Sequence, residues 1–406
     1  VYKRQVYDID GVDRAVPNIS TLADPALTLA SQRPARFLRI VKAVSIPDED
    51  VLDFAGTAFG RSSAQGMREI IGYLPIEPDG SVRAKVTANV PLAISVLDSS
   101  GRRITDRHQS WLQVRPGEVL ACNGCHEAAT GLSHGRSDAF DSVYPGAVTT
   151  SQPFPNTDPA IFADFGETMA QARGRLSCAT DCASITPSVD LEFLDIWTNE
   201  AAAARPKDAP IALLYDDLDT LAPVSQVCID TWSALCRTIV NYEVHIHPLW
   251  SLSRLLLAGD GITVLEDRTC NNCHSSRDAM NMIQTPAGQL NLADGRDPLV
   301  TDHLISYREL LFPDFEEAVD LVNDRLVDVQ ELIGIDPDTG DQIFAPVSLA
   351  PPISTAGAIA SPRFFDRFNA GGSHDGYLTP AELRLLAEWV DIGAQYFNNP
   401  FEAPVD

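Results

Sequence analysis

The cysteines place the strongest constraint on what this chain can fold into. Its eight cysteines form four close pairs, and in two of these pairs the second cysteine is followed at once by a histidine. With eight Cys and eight His in 406 residues, chance alone would give roughly 0.003 such pentapeptides. The two pentapeptides are Cys122-Asn123-Gly124-Cys125-His126 and Cys270-Asn271-Asn272-Cys273-His274.

This pattern predicts covalent attachment of haem c at both sites. Two thiols on one turn of backbone add to the two vinyl groups of a porphyrin, and the adjacent histidine becomes a ligand of the iron. We therefore expect two haem c groups, with His126 and His274 as iron ligands.

Two other interpretations of the motifs stay open. A zinc ion could be held by all four motif cysteines, but such a site would leave both trailing histidines unexplained. Thioredoxin-like redox pairs belong at the strand-to-helix junction of a βαβ unit, and neither motif has that sequence context.

The other four cysteines lack a trailing histidine and lie in a region rich in Pro, Asp and Ser. Haem c attachment takes place in an oxidising compartment, so we expect two local disulfides, Cys178–Cys182 and Cys228–Cys236. Pairing across the two local pairs is the alternative. The same argument predicts a periplasmic or extracellular bacterial protein.

Length and charge exclude several classes of function. The chain has 406 residues, 45% of them hydrophobic, which suffices for the cores of two or three domains. Its 56 acidic and 30 basic residues give a net charge of −26, which repels phosphate backbones and excludes nucleic acid as a partner. No run approaches the roughly 18 apolar residues of a membrane helix, so we expect no membrane span. The acidic balance favours a basic redox partner protein.

The chain begins at Val1, without an initiator methionine or a secretory signal segment. Residues 1–5 resemble translated sequencing-adapter sequence, so we interpret them as artefactual and the chain as a fragment. Residues 1–35 receive no domain assignment.

Hydrophobic periodicity divides the remaining chain into three parts. Residues 36–135 carry short apolar runs separated by turns, which predicts an antiparallel β-sandwich that ends in the first haem motif. Residues 136–240 predict a loop-rich connector stapled by the disulfides. Residues 241–400 predict a mainly α-helical cytochrome c domain with the second haem. The expected fold class is therefore α+β with several domains.

Individual elements follow the same periodicities. Strands are predicted at residues 37–41, 69–74, 81–86, 92–97 and 111–114. Helices are predicted at residues 165–172, 249–257, 302–311 and 315–332, and from Thr379 onward. The last helix has the clearest start, because Thr379-Pro380-Ala381-Glu382 offers an N-cap, a proline at the first helical position and a capping-box glutamate.

The order of several motifs resembles a known family. Residues 74–82, with Val90-Pro91-Leu92 and with residues 110–118 ahead of the first haem motif, look like the middle domain of the hydrazine synthase alpha subunit and its relatives. The C-terminal part, including residues 241–250 and 306–311, is similar to the same proteins and to planctomycete-type cytochrome c domains.

This resemblance implies a sandwich with one haem c, followed by a helical cytochrome domain with another. In the family, a histidine that precedes an aspartate ahead of the last helix is the sixth ligand of the second haem, and the matching residues here are His374-Asp375. The resemblance also implies a possible multihaem oxidoreductase. It implies a hetero-oligomer as well, since hydrazine synthesis needs partner subunits.

Several candidate iron ligands also have other interpretations. The loop that holds His374 also has part of the register of a calcium-binding loop, and a solvated surface histidine is a third interpretation. For the first haem, His134, His108 and Met169 are candidate distal ligands, and an iron without a sixth protein ligand is equally compatible.

Two further groups favour structural roles. His245 and His247 flank Ile246, an arrangement that suits a metal or haem propionates on extended backbone, although packing is the commoner explanation. The acidic residues around Gly340 favour a hairpin turn over a calcium site; they are Asp336, Asp338 and Asp341.

Two functions follow from these motifs. The favoured one is a dihaem c-type cytochrome that transfers electrons. The alternative is a haem-dependent redox enzyme on a small nitrogen or oxygen compound, with an open first haem and the second haem as electron relay. The sixth ligand of the first iron discriminates between them.

Overall fold

Two structural units divide the chain. The computed structural model describes residues 2–3, 6–9, 11–61, 63–108, 110–125, 142–180 and 182–405. The first unit comprises Val1–Ala43, Arg68–Leu218 and Val224–Ile239, and the second comprises Val44–Met67, Asp219–Pro223 and Val240–Asp406. The second cysteine–histidine motif therefore belongs to a different unit from the first.

The first unit is a mixture of short strands and short helices. Its strands in the described residues are β1 Tyr2–Lys3, β2 Asp8–Ile9, β3 Val12–Asp13, β4 Phe37–Ala43, β5 Arg68–Pro75, β6 Val82–Arg83, β7 Leu92–Leu97, β8 Ala121–Cys122, β9 Gln152–Pro153, β10 Phe162–Ala163, β11 Leu191–Phe193 and β12 Ile211–Leu213. Its α-helices there are α1 Ile19–Ala23, α2 Met169–Ser177, α3 Glu200–Ala203 and α4 Gln226–Asp230. Single 3₁₀ turns lie at Ala30–Gln32, Ala183–Ile185 and Tyr215–Asp217.

The longest strands of the first unit form an antiparallel sheet in the order β5-β4-β7. Strand β4 is buried along most of its length because both sheet faces are covered. On one face the sheet packs into a cluster that includes Leu38, Ile71 and Val96. Gly72 permits a close approach, because a Cβ there would lie 2.8 Å from the Ser188 carbonyl oxygen.

The β character predicted for residues 36–135 is confirmed in the described part of that range, where the β5-β4-β7 sheet is antiparallel and the short strand β8 pairs parallel with β1. The runs at 37–41, 69–74 and 92–97 became β4, β5 and β7. The run at 81–86 shrank to the two residues of β6, and the run at 111–114 makes one isolated bridge from Leu112 to Leu92. The sandwich itself stays a prediction.

Both expected disulfides are present in the first unit, Cys178–Cys182 and Cys228–Cys236. The helix predicted at residues 165–172 begins later, at Met169, because Thr168 and Gln171 form a capping box there.

The second unit carries paired strands between helices. Its strands in the described residues are β13 Leu255–Leu257, β14 Val264–Asp267, β15 Asp314–Phe315, β16 Glu317–Asp320, β17 Arg325–Asp328, β18 Gln330–Ile335, β19 Gln342–Pro346 and β20 Ser348–Leu349. Its α-helices there are α5 Pro248–Ser251, α6 Cys270–Cys273, α7 Ile305–Leu311, α8 Pro362–Phe365 and α9 Pro380–Ile392. A π-helical turn spans Tyr242–Ile246, and 3₁₀ turns lie at Gly56–Phe59, Ser63–Gln65, Ala287–Gln289, Asp366–Phe368 and Pro400–Glu402.

Helix α9 is the buried centre of the second unit. It begins where the sequence predicts, since Thr379 accepts a hydrogen bond from the Glu382 N–H and Glu382 accepts one from the Thr379 N–H. Trp389, Leu385 and Leu386 are fully buried along it. Tyr242 and Tyr307 pack against Trp389, with ring centroids 5.2 Å and 6.1 Å from it.

Residues 241–400 are not mainly α-helical as predicted, because they contain eight strands as well as helices. Two of the helices predicted there are wrong. Residues 315–332 form strands of two hairpins, because Asp320 accepts the N–H groups of Val322 and Asn323 and so closes a turn in the middle of the predicted helix. Residues 249–257 split into the short helix α5 and strand β13, which pairs with β14. Local turn chemistry and strand pairing overrode the apolar spacing. The turn predicted around Gly340 is confirmed, since β18 and β19 pair across it.

Among the residues that the structure describes, no helix combines the length and the apolar character that crossing a bilayer requires.

Candidate haem cavity

A cavity of about 550 Å³ lies in the second unit. This volume falls within the range of roughly 300–1,000 Å³ that is typical of cofactor sites. Cys270, Cys273, His274 and His374 all line it. The cavity therefore gathers the four residues that the sequence assigned to the second haem.

The hairpin β13–β14 and the two residues that follow it position the cysteine motif. Asp267 accepts hydrogen bonds from the Thr269 N–H at 3.0 Å and from the Asn272 side-chain amide at 2.7 Å. The Arg254 N–H donates to Thr269 Oγ1 at 3.1 Å. Helix α6 consequently starts at a fixed point, and both cysteines fall on its single turn.

His274 follows α6 directly and is anchored through its backbone. Its N–H donates to the Cys270 carbonyl at 2.9 Å, and its own carbonyl accepts from the Leu292 N–H at 2.7 Å. Burial of the ring lowers the pKa of His274, and the neighbouring His374 lowers it further. The ring is therefore neutral near pH 7, which is the form that ligates metals.

The rings of His274 and His374 both line the cavity and lie close to each other. Their centroids are 6.0 Å apart and their planes differ by 32°. A metal–imidazole bond is about 2.0–2.1 Å long and the ring nitrogen lies about 1 Å from its ring centroid, so two imidazoles on opposite sides of one metal have centroids about 6 Å apart. The observed separation fits a single iron between the two rings.

The loop before α9 holds His374 by several contacts. Its N–H donates to the Arg367 carbonyl at 2.8 Å, and its Nδ1 lies 2.8 Å from the Ser373 hydroxyl. The Ser373 contact leaves Nε2 as the ring nitrogen available to a metal. Burial lowers the pKa of His374, and the Arg367 guanidinium adds to that effect.

Gly372 is required at its position in this loop. A Cβ there would lie 2.4 Å from the Arg367 carbonyl oxygen, which is the acceptor of the His374 N–H. The close approach of these two backbone segments sets the position of His374.

A buried ion pair joins the cysteine motif to the start of α9. The Arg254 guanidinium donates to both carboxylate oxygens of Glu382, at 2.9 Å and 2.7 Å. The side chains are only 10% and 2% exposed. Burial raises the pKa of the Cys270 thiol, and the nearby Arg254 opposes that rise.

A second link lies at the cavity edge. The Tyr377 hydroxyl donates to Glu266 at 2.7 Å, and the Arg268 guanidinium lies 4.8 Å from the Tyr377 ring centroid. Tyr377 also packs against His374, with ring centroids 5.1 Å apart. These contacts hold the His374 loop against the segment that leads into the motif.

Charged side chains of both signs line the cavity. The guanidinium groups of Arg268, Arg363 and Arg367 suit the two propionates of a haem. Glu309 also lines the cavity, and burial raises its pKa to about 8, with the neighbouring Asp314 adding to the rise. Glu309 is therefore largely protonated at pH 7, which limits the negative charge in the cavity.

The first motif lies in the first unit, with Cys122 in β8 and the Cys125 N–H donating to the Asp8 carbonyl at 2.7 Å. Both cysteines are half-buried and lie outside the two disulfides. The predicted ligand His126 and the candidate His134 lie outside the described residues. His108 is half-buried.

Met169 is fully buried and packs in a cluster with Phe154 and Trp197. That packing occupies its thioether with core contacts, so it is a poor candidate for a haem ligand.

His245 and His247 have structural partners. The His245 Nδ1 accepts from the Asn241 N–H at 3.0 Å, and His247 contacts Ser306 and Asp294, each at 2.9 Å. The segment forms a π-helical turn, so the two rings do not share one face as they would on extended backbone. Within the described ranges, no group of three or more His, Cys, Asp or Glu residues is placed to hold a metal ion.

Sequence reasoning missed the residues that support the cavity. Arg254, Glu266, Arg268 and Tyr377 act through contacts between segments that lie far apart in sequence, and no local pattern indicates such contacts. Gly372 is one of two adjacent glycines ahead of His374, and the sequence does not indicate which of them lies against backbone.

Comparison with known proteins finds a match for one segment, most of which lies in the first unit, with Val44–Met67 in the second. Residues 35–127 match the family model described as the hydrazine synthase alpha subunit middle domain. This segment contains the sheet β5-β4-β7 and runs through the first cysteine–histidine motif. The expected resemblance is confirmed for this segment, and the likeness of the C-terminal part to cytochrome c domains stays a prediction.

One curated relative is the hydrazine synthase subunit alpha of Kuenenia stuttgartiensis, which is 31% identical over 94 residues. That alignment covers 23% of this chain and 10% of the relative. A solved structure of Kuenenia stuttgartiensis hydrazine synthase aligns with 100% of this chain and 44% of its own, at 18% identity and a TM-score of 0.48. The chain thus spans less than half the length of these relatives.

Proposed function

We propose that this chain is a dihaem c-type cytochrome that transfers single electrons in the periplasm or outside a bacterial cell. The observation that carries the proposal is the 6.0 Å separation of the His274 and His374 rings inside a cavity lined by Cys270 and Cys273. Two thiols, two neutral imidazoles and a cavity of suitable size meet the requirements of one haem c. The first haem is proposed from its sequence motif alone.

Haem iron held by two imidazoles supplies one-electron transfer at a low reduction potential. The protein residues have separate tasks. Cys270 and Cys273 would attach the porphyrin, and the imidazoles of His274 and His374 would hold its iron. The cavity arginines would pair with the propionates, and Tyr377 would pack beside His374.

An iron held by both of these imidazoles would have no site open to a substrate. This favours electron transfer over catalysis at the second haem. A basic redox partner belongs to the same proposal because the chain is strongly acidic. Assembly with partner chains belongs to it because residues 35–127 are similar to one subunit of hydrazine synthase. The alternative, a redox enzyme acting on a small nitrogen or oxygen compound, requires an open iron at the first haem.

Absorption spectra test the proposal on protein produced with haem-maturation machinery. Spectra are recorded oxidised, reduced, and reduced with carbon monoxide, and the covalent haem is counted per chain. Two low-spin haems that do not respond to carbon monoxide support the electron carrier. One haem that binds carbon monoxide supports the enzyme alternative, and the absence of covalent haem refutes both.

A further inference from the structure

Two connected hairpins of the second unit, residues 314–349, form a surface that we call the acidic double hairpin. Strand β16 pairs with β17, β18 pairs with β19, and β15 pairs with β20 at the base. Backbone hydrogen bonds from Val329 to Glu316 and from Val347 to Val329, 2.7 Å and 2.9 Å long, join the two hairpins. The hairpins therefore share one base.

Large apolar side chains are exposed on the second hairpin. Leu332 and Phe344 lie opposite each other in the register and are 51% and 52% exposed. Ile335 is 63% exposed, and Ile333, beside a bulge in the pairing, is 60% exposed. Clustered apolar side chains of this kind on a surface indicate a site that another molecule covers.

The charge around these apolar side chains is strongly negative. Residues 314–349 contain ten Asp and Glu and a single cation, Arg325. Glu331, Asp338 and Asp341 are exposed on the same hairpin as the apolar pair. A second copy of the chain is a poor occupant, because two such faces would repel each other. Charge complementarity instead selects a basic partner.

The base of the acidic double hairpin also forms part of the cavity wall. Asp314 of β15 and Leu349 of β20 both line the cavity that contains His274 and His374. A molecule bound on the hairpins would therefore sit on the structural element that borders the candidate haem site.

We propose that the acidic double hairpin is the docking surface for a small redox protein whose exposed cofactor edge is ringed by lysine and arginine side chains. The inference rests on the proposed electron-transfer function and adds the surface and the chemistry of the partner. The carboxylates steer the partner and fix its orientation. The apolar pair at Leu332 and Phe344 forms the desolvated centre of the contact.

Calorimetry on the full haem-loaded chain tests the proposal, with a lysine-rich c-type cytochrome as the probe. One variant removes the apolar pair, Leu332→Thr with Phe344→Thr, which keeps side chains that favour strands. Another removes three charges, Glu331→Gln, Asp338→Asn and Asp341→Asn. We expect each variant to weaken binding about tenfold or more. Raised salt should reduce the difference between the charge variant and the unaltered chain.

Matched controls lie elsewhere on the surface. Leu235→Thr removes an apolar side chain that is 86% exposed in the first unit. Glu49→Gln, Asp50→Asn and Asp53→Asn remove three exposed carboxylates outside the hairpins. Both controls should bind the probe within about twofold of the unaltered chain. A probe with acetylated lysines should bind weakly to every variant, since acetylation removes its charge.

The outcomes separate the two proposals. If the chain carries haem but the hairpin variants bind the probe as tightly as the controls do, the docking proposal is overturned and the electron-transfer proposal stands. Absence of probe binding, or self-association that the hairpin variants abolish, also overturns it. If no haem is attached, the electron-transfer proposal fails irrespective of the binding data.

Discussion

The substitution Gly372→Ala should remove His374 from the iron without altering any ligand. A methyl group at residue 372 would lie 2.4 Å from the Arg367 carbonyl oxygen, whereas Cβ atoms in proteins essentially never approach an atom within 3.0 Å. The two segments must therefore separate by about 0.6 Å, and by about 1 Å to reach ordinary contact at 3.4 Å. The same carbonyl accepts the His374 N–H, so the hydrogen bond that positions His374 is displaced.

A metal–imidazole bond of about 2 Å does not tolerate displacements of this size. Overpacking of this kind costs about 1–3 kcal/mol, and a weakened hydrogen bond costs about 0.5–1.5 kcal/mol. The two costs together come to about 1.5–4.5 kcal/mol, and a loss of about 2 kcal/mol already lowers the ratio of ligated to unligated His374 roughly thirtyfold.

Carbon monoxide binding by the reduced protein measures this loss. In the Gly372→Ala variant, the second haem should bind carbon monoxide and show a high-spin fraction when oxidised, and added imidazole should restore the low-spin spectrum. Gly371→Asn is the matched control, because residue 371 has φ +78° and open space around its Cβ, and asparagine tolerates that conformation. If Gly372→Ala and the control have the same spectrum as the unaltered chain, the position of His374 is not set by this contact and the reasoning is refuted.

Three further predictions concern stability and are measured by denaturant unfolding. Glu382→Ala leaves the Arg254 guanidinium buried without its partner, so the free energy of unfolding should fall by about 3–5 kcal/mol; a loss below 1 kcal/mol would contradict a buried pair. Burial raises the pKa of Asp79 to about 6. Between pH 4 and pH 6 the folded state therefore keeps a proton that the unfolded state has lost, and the free energy of unfolding should decline by about 2–3 kcal/mol over that range. The Asp79→Asn variant should lack that decline, and an equal decline in both proteins would contradict the assignment. Replacing Cys228 and Cys236 by serine opens a short loop and should lower the free energy of unfolding by about 2–3 kcal/mol. As a control, the variant and the parent chain should be equally stable when both are measured under reducing conditions.

Local signals in the sequence predicted the elements whose determinants are local. The capping box at Thr379 and Glu382 marked the start of α9, and the apolar runs at 37–41, 69–74 and 92–97 marked the central sheet. The disulfides followed from cysteines that are close in sequence. In each case the residues that decide the structure lie within a few positions of one another.

Pairing between strands could not be predicted in the same way. Residues 315–332 have apolar spacing compatible with a helix, yet Asp320 closes a turn and β16 pairs with β17. The cavity likewise combines residues that the sequence predicted with residues that it did not. His274 was predicted from its motif and His374 from the family resemblance, but Arg254 and Tyr377 act across long sequence separations. Gly372 acts through close contacts with the backbone of Asp366 and Arg367, which composition does not indicate.

The central claim is that one iron of a covalently bound haem lies between His274 and His374. Low-temperature electron paramagnetic resonance of the oxidised protein, compared with the His374→Ala variant, tests it most directly. We predict a low-spin signal of a haem with two imidazole ligands in the unaltered chain, and its replacement by a high-spin signal in the variant at unchanged haem content. The same low-spin signal in both proteins would contradict the claim.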